Sequence, residues 1–138
     1  MSRTILLVVL LCFMSQTFGK TMTECELVWE LRKNGFPENQ LKDWICLINA
    51  SGFRRTDVKN TAADGSSNYG IFQINDQYWC NDGDEPGKGC NVRCKDLLLD
   101  DITPQLQCTK TIYAAHGFEA WYGWVEKCKG KTLPEIQC

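Results

Sequence analysis

Cysteines limit the folds open to this chain more than any other residue type does. Nine are present, and Cys12 lies in an N-terminal apolar run, which leaves eight. In a secreted chain, which the N-terminal residues described next indicate, an even set of cysteines predicts four disulfides, although spacing alone leaves all 105 pairings open. Bound zinc is the competing interpretation. It is disfavoured because no Cys-x-x-Cys pair occurs and His116 is the only histidine. The eight cysteines are Cys25, Cys46, Cys80, Cys90, Cys94, Cys108, Cys128 and Cys138.

The first residues have the features of a secretion signal. Arg3 precedes the apolar run 5–13, and residues 17–19 follow with the spacing of a cleavage site. That run is too short to cross a bilayer, which takes about twenty residues, so no membrane span is expected. We predict a signal peptide at 1–19 and one secreted, extracellular domain at 20–138, in which cross-links supplement the core.

The charge balance disfavours two classes of partner. Without the signal, the chain has 14 basic and 17 acidic residues and a net charge of −3. Its densest basic stretch, 127–131, is flanked by Glu126 and Glu135. Nucleic-acid binding and killing by adsorption onto anionic membranes both need clustered Lys and Arg, so neither is expected.

Helical patterns open the predicted domain. Thr23 and Glu26 form a capping box ahead of an apolar stripe, and Asn34-Gly35 ends this first helix. Pro37 marks the start of a second helix, which ends at Gly52.

In the middle of the chain, the spacing of apolar residues changes from a helical pattern to the alternation typical of a strand. Asp64-Gly65 predicts a turn, and alternation over residues 68–75 predicts one strand with Asn68 and Asn75 on opposite faces. Residues 80–95, rich in cysteine and glycine, predict a cross-linked loop.

Helical patterns then return. After a short helical stretch at 96–99, Thr103-Pro104 predicts the cap and first turn of a helix that Gly117 ends. A last short helix holds Trp121 and Trp124. Helices on both sides of a small antiparallel sheet predict a cleft between helical and sheet lobes.

Several motifs occur in the order found in one protein family. They are YGIFQIN at 69–75, YWC at 78–80, CNVRC at 90–94, DLLLDDI at 96–102 and AWYGW at 120–124. With the eight cysteines, they make residues 20–138 resemble the c-type lysozymes, most closely the insect, lepidopteran-like branch. The resemblance implies an α+β fold with a helical lobe, a small antiparallel β lobe at about 55–95 and a cleft between them. It also implies the disulfides Cys25–Cys138, Cys46–Cys128, Cys80–Cys94 and Cys90–Cys108.

Both catalytic positions implied by the resemblance hold residues that cannot ionise near neutral pH. The family's acid is a glutamate five residues after Cys46, where this chain has Ser51. Its nucleophile is an aspartate directly before the Tyr-Gly of the strand, where this chain has Asn68. The nearest acids in sequence, Asp57 and Asp64, match neither position. We therefore expect no side chain in the cleft that could donate a proton to a glycosidic oxygen.

Saccharide binding depends on other groups. Sugars are held by aromatic faces and by hydrogen bonds to amides. Taken alone, the amides fit strand hydrogen bonding and the tryptophans fit a core, but the motif match favours binding. Trp44 and Trp124 fit buried helix faces and are predicted core residues. The resemblance assigns Gln73, Asn75, Tyr78, Trp79, Ala120 and Trp121 to the family's saccharide cleft.

Three weaker patterns remain. Asn49-Ala50-Ser51 is a glycosylation sequon, so Asn49 is a candidate glycan acceptor, with a bare surface asparagine as the alternative. Asp100 and Asp101 are similar to part of a calcium loop, but their neighbours offer too few carboxylates, so no metal or cofactor is predicted. His116, at a helix end, is expected to be a solvated cap residue.

The leading hypothesis is a secreted, non-catalytic lysozyme-like monomer that binds peptidoglycan or chitin-type saccharides in antibacterial defence. The first alternative is a weak muramidase that uses an unforeseen acid. The second is a partner-modifying protein in the manner of α-lactalbumin, against which the incomplete calcium loop argues.

Overall fold

The structure, a computed structural model, describes residues 19–138. The predicted signal peptide lies outside the described residues except for its last residue, Gly19. In the described part, no helix has both the length and the apolar character to span a membrane. Residues 19–138 form four α-helices and a three-stranded antiparallel sheet, which is the α+β architecture expected from the sequence.

The first helix, α1 (Glu24–Lys33), begins at the predicted capping box. Thr23 Oγ1 accepts from the Glu26 N–H at 3.1 Å, and Glu26 Oε1 accepts from the Thr23 N–H at 3.3 Å. These two bonds satisfy N–H groups that a helix start leaves without partners. Leu27 and Leu31, one turn apart, are buried and attach α1 to the core.

The second helix follows Pro37 after a short 3₁₀ turn. The turn spans Glu38–Gln40, and α2 spans Leu41–Ser51, with Gly52 as its cap. Trp44 is 1 % exposed, so its predicted core role is confirmed. Its ring lies within 4.6–6.3 Å of five aromatic rings, which tie α2 to the other elements: Phe36, Phe72, Tyr113, Phe118 and Trp121.

The sheet differs from the predicted strand. Strands β1 (Lys59–Thr61), β2 (Ser67–Tyr69) and β3 (Ile74–Asn75) pair in that order. The single strand predicted over 68–75 is wrong, because Gly70 (φ 76°) and Gln73 (φ 50°) are left-handed and fold the chain into a turn. Asn68 is consequently paired with Asn75 across the strands instead of lying on the opposite face.

The rest of the chain returns to helices. A 3₁₀ helix spans Cys94–Leu98, α3 spans Thr103–His116, a second 3₁₀ turn spans Gly117–Ala120, and α4 spans Tyr122–Lys127. Pro104 lies in the first turn of α3 as predicted. Thr103 is not the cap, since it is already helical; Asp101 Oδ1 accepts its N–H at 3.0 Å.

Four disulfides cross-link these elements with the pairing that the family resemblance implies. Cys25–Cys138 spans 113 residues, and in a chain-entropy model a loop of that size contributes up to about 4–5 kcal/mol to stability. Cys46–Cys128 joins α2 to the residue after α4. Cys80–Cys94 and Cys90–Cys108 fasten the loop that follows the sheet to the 3₁₀ helix and α3.

Candidate functional site

A cavity of about 410 Å³ lies where the end of α2, the sheet and α4 meet. We call it the cleft. Most of the residues expected there from the sequence do line it, together with several that were not expected. The lining residues are Ala50, Ser51, Asn68, Gln73, Ile74, Asn75, Trp79, Ile112, Ala120, Trp121, Tyr122, Gly123, Glu126 and Lys127.

Ser51 enters the cleft from the last position of α2. The helix end comes so close to the β2–β3 turn that a Cβ on Gly52 would lie 3.0 Å from the carbonyl oxygens of Gly70 and Ile71. The missing side chain of Gly52 allows this approach without displacing the turn, and the approach holds Ser51 beside the sheet. Ser51 is half-buried, and its hydroxyl forms no hydrogen bond with any of residues 19–138.

Asn68 lines the cleft from β2. Its Oδ1 accepts a hydrogen bond from Asn75 Nδ2 at 3.0 Å. Within the described residues, the Asn68 Nδ2 group donates to nothing, so both of its N–H groups remain for a ligand. An aspartate here would offer only acceptors, whereas Asn68 offers a neutral donor.

The two predicted amide ligands are largely occupied by the sheet itself. Gln73 Nε2 donates to the carbonyl oxygens of Gly70 at 2.8 Å and Val58 at 3.2 Å, and Gln73 Oε1 accepts from Asn60. Asn75 Nδ2 donates to Ser66 Oγ as well as to Asn68.

These bonds use both amide hydrogens of Gln73 and both of Asn75. Asn75 Oδ1 also accepts the Gln77 N–H. Each retains one free lone pair on its oxygen, and each can therefore serve a ligand only as an acceptor.

The two tryptophans expected in the cleft differ in exposure. Trp121 is 6 % exposed, and its Nε1 donates to the Phe72 carbonyl at 2.9 Å, so only an edge of its ring reaches the cleft. Trp79 is half-buried and meets the His116 ring at 5.8 Å. A Cβ on Gly89 would lie 2.6 Å from the Trp79 ring, so the loop backbone packs directly on this indole. Trp79 is thus held rigidly with part of its surface open.

Of the two other residues expected in the cleft, one lines it and one does not. Ala120 is exposed and lines the cleft, whereas Tyr78 is 64 % exposed and lies outside the lining. Trp124, a predicted core residue, is only half-buried; it packs against the core, stacks on Phe118 at 5.0 Å and donates to Asp43.

The sequence predicts no proton donor in the cleft, but the α4 wall of the cleft holds two charged side chains, one of them a carboxyl. Glu126 and Lys127 both line the cleft and are its only charged residues among 19–138. The AWYGW motif ends at Trp124, so the family resemblance did not include these two charged residues. Helical spacing could have predicted the position of Glu126, because it lies one turn after Tyr122 and Gly123 on the same helix face.

The acids nearest in sequence stay outside the cleft. Asp57 pairs with Arg55. Asp64 accepts hydrogen bonds from the Ser66 hydroxyl and backbone N–H, which lower the pKa of its carboxyl and keep it ionised. Asp101 accepts the Thr103 N–H at the start of α3, and residues 19–138 contain no group of His, Cys, Asp and Glu arranged to hold a metal ion.

Comparison with known proteins agrees with the fold. A sequence model of the C-type lysozyme/alpha-lactalbumin family matches residues 20–138. The lysozyme of Bombyx mori is 53 % identical over 128 residues, covering 93 % of this chain and 91 % of that protein. The Hyalophora cecropia lysozyme is 44 % identical and covers 99 % and 98 %, and the tracheal lysozyme C of Bos taurus is 40 % identical and covers 83 % and 82 %.

Proposed function

Because the chain belongs to the C-type lysozyme/alpha-lactalbumin family, we propose that it is a secreted antibacterial protein that binds amino-sugar polymers without cleaving them efficiently. Family membership supports a lysozyme-like role and a peptidoglycan-type ligand. The four disulfides support an extracellular location, since such bonds persist in oxidising surroundings. The observation on which the proposal depends is the presence of Ser51 and Asn68 in the cleft.

Ser51 and Asn68 lack the groups that retaining glycoside hydrolysis requires. Such hydrolysis uses one carboxyl to protonate the leaving oxygen and a second to attack or stabilise the sugar cation; lysozyme is the type case for this scheme. The Ser51 hydroxyl does not release its proton near neutral pH. Loss of general acid catalysis costs roughly 10²–10⁴ in rate, or about 3–5 kcal/mol of barrier. Asn68 adds a further loss because a neutral amide cannot balance a positive ring.

Binding needs no ionised pair, and the cleft retains groups suited to sugars. Trp79 offers an apolar ring surface, and Asn68 offers two amide hydrogens toward hydroxyl or acetamido oxygens. Gln73 and Asn75 supply acceptor oxygens held in fixed positions by their own hydrogen bonds. A rigid, pre-formed site of this kind loses little entropy when a ligand enters.

A second candidate, a weak muramidase, is favoured by one observation. Glu126 is a carboxyl in the cleft and could serve as an acid from the α4 wall. It has no partner, because no second carboxyl lines the cleft within residues 19–138. We rank this function below binding, since hydrolysis through two carboxyls needs both.

Parallel assays on one wall preparation separate the two functions. The purified protein is incubated with insoluble peptidoglycan, and turbidity, release of reducing ends and the fraction of protein sedimenting with the wall are followed. The proposal expects co-sedimentation with turbidity unchanged. Clearing at the rate of an ordinary lysozyme would overturn it, and slow release of reducing ends abolished by Glu126→Gln would establish the muramidase.

A further inference from the structure

We propose that the α4 wall of the cleft recognises the charged peptide stems of peptidoglycan, so that peptide-bearing wall strands bind more tightly than neutral chitin chains. This inference rests on the proposed saccharide binding and specifies its ligand. It assigns the recognition to Glu126 and Lys127.

The position of these two residues is fixed by the fold. Cys128, which directly follows Lys127, is bonded to Cys46 of α2. One turn earlier, a Cβ on Gly123 would lie 3.2 Å from Ala50 Cβ, so α4 packs closely against the end of α2. Glu126 and Lys127 therefore border the cleft from a helix held at both ends.

Neither charge has an ion-pair partner among residues 19–138. The ion pairs within residues 19–138 use other side chains, including the nearby pair Lys129–Glu119 at 2.6 Å. Lys131 approaches Glu126 only through the backbone carbonyl. Adjacent helical residues diverge by about 100°, so Glu126 and Lys127 do not face each other. Both charges thus remain for a ligand.

Ligand chemistry then distinguishes the two polymers. A chitin chain is neutral and can make no ion pair with this wall. In peptidoglycan, the lactyl ether of every second sugar carries a peptide with carboxylates and, on its diamino acid, a free amine. Lys127 is suited to a peptide carboxylate and Glu126 to the amine. An exposed ion pair of this kind changes affinity by up to about fivefold and weakens with salt.

The test measures binding of three soluble probes to the mature protein by tryptophan fluorescence, at low and high salt. The probes are a peptide-bearing glycan fragment, the same glycan after amidase removal of its peptides, and chitotetraose. Amidase leaves a lactyl carboxylate but no amine. We therefore expect Lys127→Gln to weaken both wall probes by about threefold to fivefold, and Glu126→Gln to weaken only the peptide-bearing probe. Chitotetraose affinity should change less than that of the wall probes in both variants, since a glutamine amide still hydrogen-bonds neutral hydroxyl groups.

Matched controls are Glu119→Gln and Lys129→Gln, which remove the same charges from the exposed pair outside the cleft lining. Both should retain the wild-type preference for the peptide-bearing probe. Equal affinity of the wild type for all three probes, or a preference that persists in Glu126→Gln and Lys127→Gln, would overturn the inference while leaving saccharide binding intact. Failure of every probe to bind would overturn the proposed function as well.

Discussion

Gln105 of α3 accepts the backbone N–H of Ile71 at 2.7 Å, although the two residues are 34 positions apart. Gln105 Nε2 donates to the Thr56 carbonyl at 3.3 Å, and both side chains are fully buried. Gly70 lets this contact form, since a Cβ there would lie 2.2 Å from Gln105 Oε1. One amide therefore fixes the β2–β3 turn, and with it Asn68 and Asn75, against the helical lobe.

Gln105→Leu should destabilise the protein by about 1–3 kcal/mol, because the buried Ile71 N–H would lose its acceptor. Denaturant unfolding of the two proteins with disulfides intact measures the difference. Gln107→Leu is the matched control, since Gln107 is exposed on the same helix and should change stability little. Equal effects at 105 and 107 would contradict the assigned role.

Restoring both carboxyls should restore hydrolysis if the remaining cleft is competent. Ser51→Glu with Asn68→Asp is expected to raise release of reducing ends from peptidoglycan at least about 100-fold over wild type, the lower bound of general acid catalysis. Asn75 Nδ2 is already placed to donate to the new carboxylate at 68. Because Ser51→Glu also destroys the sequon, Asn49→Gln is the necessary control and should remain inactive. An inactive double variant that still binds wall would mean that the surrounding groups no longer support catalysis.

We expect a glycan on Asn49 when the protein is secreted from eukaryotic cells. Asn49 is exposed, and it lies about 200° around α2 from Ser51, so a glycan would point away from the cleft. Mass spectrometry before and after enzymatic deglycosylation should detect it in wild type and Ser51→Thr, but not in Ser51→Ala or Asn49→Gln. An unmodified wild-type protein would contradict this.

Trp79→Ala should weaken chitotriose binding by about tenfold, since an aromatic contact contributes roughly 0.5–1.5 kcal/mol beyond the area it covers. Fluorescence titration measures the affinity through the remaining tryptophans. Trp29→Ala removes an equally large ring that is 65 % exposed and outside the cleft lining, and it should bind as wild type does. A loss as large in Trp29→Ala would place binding elsewhere.

Asp101→Asn should weaken the start of α3 by about 0.3–1 kcal/mol at neutral pH, because it removes a negative charge that favours a helix N-terminus while an amide oxygen can still accept the Thr103 N–H. Hydrogen bonds from Thr103 hold the pKa of Asp101 below its usual value. Since the folded pKa is the lower one, the carboxylate stabilises the fold above the unfolded pKa of about 3.9, and this contribution is lost as the pH falls through the folded pKa. The difference between wild type and variant, measured by urea unfolding, should shrink below about pH 4. Asp82→Asn, at an exposed site, should show no such difference.

Local patterns predicted the helical lobe well, because its start and end residues act within one turn. The Thr23 capping box and the Gly117 helix end are examples. The β2–β3 turn was missed because alternation over 68–75 looks the same for one strand and for a tight hairpin; only the left-handed Gly70 and Gln73 distinguish them. The disulfide pairing came from family resemblance, since it depends on long-range contacts that spacing does not encode.

Motif matching placed Ser51, Asn68 and Trp79 in the cleft correctly but could not describe their hydrogen bonds. The occupied amides of Gln73 and Asn75 depend on side-chain geometry across the sheet. Glu126 and Lys127 were missed because they follow the motif that drew attention to α4.

The bridge between Cys46 and Cys128 has a consequence for motion. It bonds α2 covalently to the residue after α4, so the bond limits how far these two walls of the cleft can separate. A wider cleft would therefore require the sheet to move relative to both helices. The two hydrogen bonds of the buried Gln105 amide, to Ile71 and Thr56, would oppose that movement.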